Sequence, residues 1–319
     1  MSESPTSRLP GHHGSAEGSI RLSALPGNLV SQWRQWQAQR DKSWQLRLAG
    51  SEALRAIAAR DRHLPARCQA PYISHAFDLE TRYAILDAHY RFLHERLPAR
   101  LRNRLLDGCD ARIVPLAPGR GELTYLHMRP PMLRRCGELG LYLLTEDKRV
   151  LSSCTLTFAG AHGVLIGALH GSWAYMGRQP IRAFTRSAHG LRPKNLLLSL
   201  VYALKQFFRL GPIRAVADDA RPAGADKDWR GAGQDPFWLE NGGVLDADGC
   251  YLLPAQERRR LPEQVPSKRR AARRRREAVR ADACERMLQA LRYALPSTAT
   301  PADEPESESE SIHDAPSQP

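Results

Sequence analysis

The sequence has few cysteines and no ordered cysteine pattern. Six cysteines are spread over 319 residues at irregular spacings, and none belongs to a C-x-x-C pair. Zinc ribbons and disulfide frameworks need cysteines at regular spacing, so the pattern argues against both and favours a reduced cytosolic setting. The histidines show no metal-ligand spacing either. We therefore expect no metal site.

Long hydrophobic runs are lacking as well. The longest apolar stretch, near residues 196–204, has about nine residues, whereas a transmembrane helix needs about 20. The first residues lack the basic-then-apolar layout of a secretory signal. These absences predict a soluble protein of the cytoplasm, either free or peripheral at the inner membrane.

Motifs that read nucleic-acid bases are also absent. We find no C₂H₂ finger pattern and no aromatic block of the RNP type, so nucleic acid is not an expected partner. The net charge is nevertheless +13, with a pI of about 9.9. Such a charge favours an anionic partner, either a phosphorylated small molecule or an anionic membrane surface.

Changes in composition divide the chain into five segments. Residues 1–28 and 296–319 are rich in small or acidic residues and proline, which predicts disordered tails. Between them we predict a helical region at 29–107, a mixed α/β domain at 108–256 and a basic C-terminal helix at 257–295.

Hydrophobic periodicity predicts an α+β fold. Residues 78–106 carry apolar residues at helical spacing, with Asp78 as N-cap and Pro98 as an interruption. Short apolar or alternating segments then predict an antiparallel meander of five strands, at 112–116, 122–128, 139–145, 151–159 and 163–169.

The next segments predict a parallel crossover. A helix over 193–208 is apolar around most of its girth, so we expect it to be buried on more than one side. The strand at 212–218 follows it, and a strand–helix–strand order places the two strands parallel in one mixed sheet. The segments "DPFWLENGG" and "CYLLP" predict a short helix ending at glycine and a last strand.

The stretch "TRSAHGLRPKN", residues 185–195, precedes the crossover helix and is predicted to join a strand to it. Pro193 suits the first helical position, because its missing N–H would be unsatisfied there anyway. The free N–H groups of Lys194 and Asn195 then point towards the loop. Together with the helix dipole they favour an anion.

The side chains of this stretch allow two interpretations. In the first, Gly190 lets a bulky anion approach the backbone, while Arg186, Arg192 and Lys194 bind its phosphate groups. In the second, the stretch is a capped helix start, and Arg192 pairs with a carboxylate elsewhere, such as Glu240.

Three side chains are candidates for catalysis. His189 and His170 titrate near neutral pH and are candidate general acids or bases, although His189 could equally orient the loop. Glu240 either pairs with Arg192 or activates an amine. Phe237 and Trp238 are read as core packing more readily than as a stacking platform.

The C-terminal helix contains seven basic residues between Lys268 and Arg276. Such a run is attracted to phosphate-bearing surfaces, including anionic lipid headgroups. It is equally well explained as a solvated basic helix. The sequence leaves both interpretations open.

Three blocks resemble the bacterial VirK/YbjX family. "TRSAHGLRPK" is similar to its T-K/R-x-x-H-G-L-R-P-K motif, "FWLENGG" to F-W-x-E-x-G-G, and "VPSKRRAARRRR" to V-P-S-K-K-R-A-x-Y-R-R-R. The resemblance covers roughly residues 60–280. It implies a role in the cell envelope, in virulence or in resistance to cationic antimicrobial peptides, since members of that family are linked to these properties.

The predicted order of elements also resembles the Gcn5-related N-acyltransferases, although their R/Q-x-x-G-x-G/A loop is missing here. The likeness implies coenzyme A or acyl-CoA as a cofactor at the loop before the crossover helix, and with it an N-acyltransferase. The alternative is a non-catalytic peripheral protein that binds anionic membrane or a partner and assists the localisation of an outer-membrane protein.

Overall fold

A computed structural model of the chain describes residues 27–64, 70–117, 122–172, 177–222, 233–259 and 262–293. The tails predicted at 1–28 and 296–319 lie outside these residues, except for Gly27 and Asn28, which begin the first helix. The chain divides into two compact units, one ending at Arg47 and one starting at Leu48.

The N-terminal third is helical, as the sequence predicts. Its helices are α1 (Gly27–Gly50), α2 (Glu52–Arg60), α3 (Leu79–Arg96) and α4 (Ala99–Leu106). Asp78 caps α3, because its Oδ1 accepts the N–H of Thr81 at 2.8 Å. The hydrogen bond with the Thr81 side chain, and then this backbone bond, lower the pKa of the Asp78 carboxyl. Pro98 separates α3 from α4, which confirms the predicted interruption.

Five strands form the predicted antiparallel meander. They are β1 (Ala111–Leu116), β2 (Thr124–Arg129), β3 (Leu139–Thr145), β4 (Val150–Phe158) and β5 (Val164–His170). All nine residues of β4 are buried. Since successive side chains point to opposite faces, both faces of the sheet are covered there.

The α3 helix is one of the elements that pack on β4. Its His89 is fully buried and accepts the N–H of Phe158 through Nδ1 at 3.1 Å. Burial lowers the pKa of His89 to about 3. The ring is therefore neutral at physiological pH and acts as a packed hydrogen-bond acceptor.

The parallel crossover is also present. After β5 come α5 (Gln179–Ser187), α6 (Pro193–Phe208) and β6 (Ile213–Val216). The β5 and β6 strands pair in parallel, with Val164 opposite Ile213 and Ile166 opposite Ala215. As its apolar girth predicts, α6 is largely buried, and it packs on β3, β4 and β5.

The sheet ends in a short hairpin. Helix α7 (Asp235–Glu240) is followed by β7 (Val244–Leu245) and β8 (Cys250–Leu252), giving the order β1-β2-β3-β4-β5-β6-β8-β7. The two-residue β7 strand was not predicted from the sequence. The described residues thus form eight α-helices and one mixed eight-stranded sheet, an α+β fold.

The last helix, α8 (Ser267–Arg292), packs on α6 and β1. The prediction that it starts at residue 257 is wrong by ten positions. The reason is that Pro266 takes the N-cap position, with extended φ and ψ of −51° and 141°, and proline favours a helix start over a helix interior. No helix among the described residues has the length and hydrophobicity that a bilayer crossing requires.

Candidate anion-binding site

The stretch 185–195 joins two helices, so the prediction of a strand-to-helix junction is wrong. It runs from the last turn of α5 to the first turn of α6. The sequence does not predict α5, because this helix buries few side chains. Phe184 is its one buried residue.

The turn between α5 and α6 depends on backbone bonds. The N–H of Gly190 donates to the carbonyl of Thr185 at 2.7 Å, and the N–H of His189 donates to the carbonyl of Arg186 at 3.2 Å. This is a Schellman motif, which needs a left-handed residue just after the helix. His189 takes that conformation, with φ of 53°, and Gly190 follows with φ of 88°.

The turn is held against α8. Arg276 donates from Nε to the carbonyl of His189 at 3.2 Å. A Cβ added at Gly190 would lie 3.5 Å from an Arg276 terminal nitrogen. The sequence motif and the basic helix, which were two separate features in the sequence, therefore meet in one place.

The first turn of α6 has the predicted geometry. Pro193 is its first residue, and Arg192 is an extended N-cap with φ of −76° and ψ of 143°. The Arg192 guanidinium donates to Asn195 Oδ1 at 2.9 Å and to Glu240 Oε1 at 2.5 Å. The structure thus contains the ion pair that the second interpretation of the motif predicts.

This ion pair does not close the site to an anion. The Arg192 and Glu240 side chains are 52% and 55% exposed. Exposed pairs contribute less than about 1 kcal/mol, so a phosphate group can compete with Glu240 for Arg192.

Around this point lies an open cavity of about 950 Å³, which we call the arginine pocket. Seven arginines and two glutamates line it, together with neutral residues such as Gly190 and Asn195. The charged residues are Arg192, Arg258, Arg259, Arg269, Arg273, Arg276, Arg280, Glu240 and Glu277. The pocket therefore carries a strong excess of positive charge.

Helix α8 forms one wall of the pocket through four arginines on one face. They are spaced i, i+4, i+7 and i+11, which is the spacing of a single helical stripe, and they are Arg269, Arg273, Arg276 and Arg280. The same stripe continues into the buried residues Ala283, Met287 and Leu291. One amphipathic face thus serves both the core and the pocket.

The base of the pocket is electrically balanced. Arg280, which is 7% exposed, pairs with Glu277 at 3.0 Å and with Glu257 at 3.6 Å. Arg259 pairs with Glu257 at 2.8 Å and with Glu277 at 3.3 Å. Two arginines and two glutamates neutralise each other here and anchor the wall.

The rim is not balanced in this way. Within the described chain, Arg258, Arg269 and Arg276 form no ion pair with a carboxylate. Their charges remain available to a ligand. Phosphate groups accept hydrogen bonds from guanidinium in two-point fashion, and such charge-assisted bonds are among the strongest available to a binding site.

Four of the predicted site residues line this pocket: Gly190, Arg192, Asn195 and Glu240. His189 contributes its backbone carbonyl to Arg276. The Arg186 side chain is exposed and is not among the lining residues.

His170 and Lys194 belong to a second group, at the end of β5. Burial lowers the pKa of His170 to about 3, helped by the charges of Arg221 and Lys194. Burial also lowers the pKa of Lys194, with a smaller effect from Arg192. His170 is only 7% exposed, and neither residue is among those that line the arginine pocket.

The same region contains three hydrogen bonds that complete the fold. Asp218 accepts the N–H groups of Gln234 and Asp235 at 2.9 and 3.1 Å, and so caps α7. Gln234 accepts the N–H of Leu169 at 2.7 Å. Leu169 lies beyond the β5 residues that pair with β6, so the Gln234 side chain supplies the hydrogen-bond partner for its N–H group.

Sequence reasoning missed Arg258, Arg259 and Arg280 as pocket residues. The helical spacing of the α8 arginines was a usable signal, since it aligns them with Ala283 and Met287. No comparable signal exists for Arg258 and Arg259, which precede the helix. The packing interpretation of Phe237 and Trp238 is confirmed by their exposures of 9% and 0%.

Comparisons with known proteins agree with the motif blocks. A family model described as "Protein of unknown function (DUF535)" matches residues 31–289. The chain is 27% identical over 242 residues to the uncharacterized protein YbjX of Escherichia coli (strain K12), covering 73% of each chain. No solved structure gives a significant match.

Proposed function

The chain belongs to the DUF535 family of proteins of unknown function, as its VirK/YbjX-like motifs predict, and from this premise we propose that it binds a phosphorylated ligand in the arginine pocket. One observation carries the proposal. The family-like motif at 185–195 and the basic run at 268–276 face each other across a single cavity.

The electrostatics of the pocket support an anionic ligand. Three rim arginines have no carboxylate partner in the described chain, and the half-exposed Arg192 can exchange Glu240 for phosphate. The N-terminus of the 16-residue α6 helix lies beside these groups, and its dipole adds a partial positive charge.

The size of the pocket supports a ligand larger than inorganic phosphate. Its volume of about 950 Å³ lies near the upper end of the range of about 300–1,000 Å³ that is usual for small-molecule and cofactor sites. Coenzyme A and its acyl thioesters carry several phosphate groups and have a suitable size. We therefore propose an acyl-CoA-like ligand, used in modification of the cell envelope.

The proposal is confined to binding. Of the three candidate catalytic residues, Glu240 lines the pocket and is paired with Arg192, whereas His170 and the His189 side chain are not among the lining residues. A chemical step would need these groups to meet at a bound substrate.

Calorimetry with coenzyme A and acetyl-CoA tests the proposal. We compare the wild type with an Arg269→Ala, Arg276→Ala variant, which removes two rim charges. Since hydrogen bonds between charged groups contribute about 1.5–3 kcal/mol each and about 1.4 kcal/mol is a tenfold change, we expect the affinity to fall by at least about 100-fold.

A matched control removes two charges from the same helix outside the pocket, in the variant Lys268→Ala, Arg275→Ala. We expect its affinity for coenzyme A to stay within about 3-fold of wild type, the effect expected for distant exposed charges. Absence of binding to the wild-type chain at low salt would sink the proposal, and so would equal losses in the two variants.

A further inference from the structure

Four basic residues in the N-terminal half of α8 lie outside the arginine pocket. Lys268, Arg270, Arg274 and Arg275 are exposed and are not among its lining residues. With about 100° per residue, Arg270 and Arg274 lie about 90–130° around the helix from the pocket stripe in one direction, and Lys268 and Arg275 lie about 110–130° from it in the other. None of the four forms an ion pair with the described residues. We call them the outer basic face.

An aliphatic patch lies on α7 and the β7–β8 hairpin. Leu239, Val244, Leu245 and Leu252 are 58%, 69%, 55% and 43% exposed. Val244 and Leu252 stand opposite each other in the β7–β8 pair, so their side chains share one face, whereas Leu245, next to Val244, points to the other face. Large aliphatic side chains grouped on a surface are typical of an interaction site.

The aliphatic patch borders the arginine pocket. Leu239 directly precedes Glu240, which lines the pocket. Gly242, two residues before Val244, packs against the pocket residue Arg258, and a Cβ added at Gly242 would lie 3.4 Å from Arg258 Cδ. Exposed hydrocarbon and exposed arginine therefore lie side by side.

We propose that the outer basic face and the aliphatic patch dock the chain on an anionic phospholipid membrane. This inference rests on the proposed function, because the arginine pocket would bind its phosphorylated ligand at that membrane. Such a membrane offers phosphate charge at its surface and hydrocarbon just beneath it, and peripheral proteins bind by combining the two attractions.

The exposed apolar residues favour lipid over nucleic acid. Single-stranded nucleic acids are held by aromatic rings on which bases stack. Among the residues whose side-chain exposure the structure describes, a set that does not include Trp33 and Trp36, the one large exposed aromatic side chain is Tyr293, at the far end of α8. The residues beside the pocket are aliphatic, which suits insertion among lipid chains.

Vesicle co-sedimentation of the full chain tests the docking surface. One vesicle population contains phosphatidylglycerol and phosphatidylcholine in equal parts, and the other contains phosphatidylcholine alone. We expect salt-sensitive binding to the anionic vesicles only. The variant Lys268→Ala, Arg275→Ala should bind them about 10- to 30-fold less tightly, and Val244→Ser, Leu252→Ser at least about 10-fold less tightly.

Calorimetry with coenzyme A on the same variants separates this inference from the proposed function. Both docking variants should keep their affinity for coenzyme A, and this retained affinity also shows that they are folded. If the wild-type chain binds coenzyme A but not anionic vesicles, the proposed docking surface is wrong and the proposed function is unaffected. Failure of both assays overturns both.

Two further outcomes count against the docking surface. Vesicle binding that neither variant reduces means that the contact lies elsewhere on the chain. The second is tighter binding of duplex or single-stranded DNA than of anionic vesicles by the wild type. If the Lys268→Ala, Arg275→Ala variant also loses affinity for DNA by the same factor, the surface is assigned to nucleic acid.

Discussion

The two halves of α8 use the same helical stripe for different purposes. In the C-terminal half the stripe consists of Ala283, Met287 and Leu291, which are 2%, 0% and 4% exposed. In the N-terminal half the equivalent positions are arginines that line the pocket. The periodicity is continuous, and only the chemistry of the side chains changes.

The change happens at Arg280. This residue is buried like the core half and charged like the pocket half, and its charge is matched by Glu277 and Glu257. The comparison teaches that a helix packed on the core by one end can hold a charged wall in place with the other.

The largest effect expected from this comparison is on stability. Met287→Ala removes a fully buried side chain and should lower the free energy of unfolding by about 2–5 kcal/mol, because a cavity is left behind. Arg269→Ala, on the same stripe, should change it by no more than about 0.5 kcal/mol. Urea denaturation measures the free energy of unfolding of both variants. Equal losses of stability would contradict the division of α8 into a core half and a pocket half.

The second prediction is that a change of pH alters the stability of the core but not the charge of the pocket. Burial lowers the pKa of both His89 and His170 to about 3, from 6.5. Between these values the unfolded chain binds more protons than the folded chain, so stability is full above pH 6.5 and is lost as the pH falls. From about pH 7.5 to about pH 5.5 we expect a loss of about 2–3 kcal/mol for the two histidines.

Urea midpoints at the two pH values measure this loss, and His89→Gln, which cannot be protonated, should remove about half of it. The charge of the pocket should stay constant over the same range, since arginine remains protonated and no histidine is among its described lining residues. A flat stability profile would contradict the neutral, buried state of the two rings.

The smallest effect concerns His189. Its left-handed φ of 53° is one that glycine adopts without strain, so His189→Gly should leave stability unchanged or raise it by up to about 1 kcal/mol. Coenzyme A affinity should stay within about 2-fold, because the contact with Arg276 uses the backbone carbonyl. A tenfold loss would instead assign the imidazole to ligand binding.

Much of the fold could be predicted from local pattern. The meander follows from short apolar runs such as 139–145, and the crossover from the apolar girth of 193–208. Both depend on residues that contribute strongly to one core. By contrast, α5 buries little and β7 has two residues, so tertiary contacts fix them and local sequence does not.

The site was predicted only in part, for the same reason. Pro193 and Arg192 revealed the start of α6 because helix caps are local. The pocket depends on the approach of Arg258 and α8 to that start, across many intervening residues, and no local signal encodes this approach. Lys194 lies apart from the pocket because successive helical residues point in different directions, and His170 lies apart from it because it ends β5.

Because the stripe of α8 is uninterrupted, the rotation of the helix about its axis decides which side chains line the pocket. Inserting one residue between Arg280 and Ala283 would turn every preceding arginine by about 100° about the helix axis, while Met287 and Leu291 kept their places. Inserting seven would restore the angle but shift the arginines about 10 Å along the axis. The length of this segment is thus as tightly constrained as the identity of its side chains.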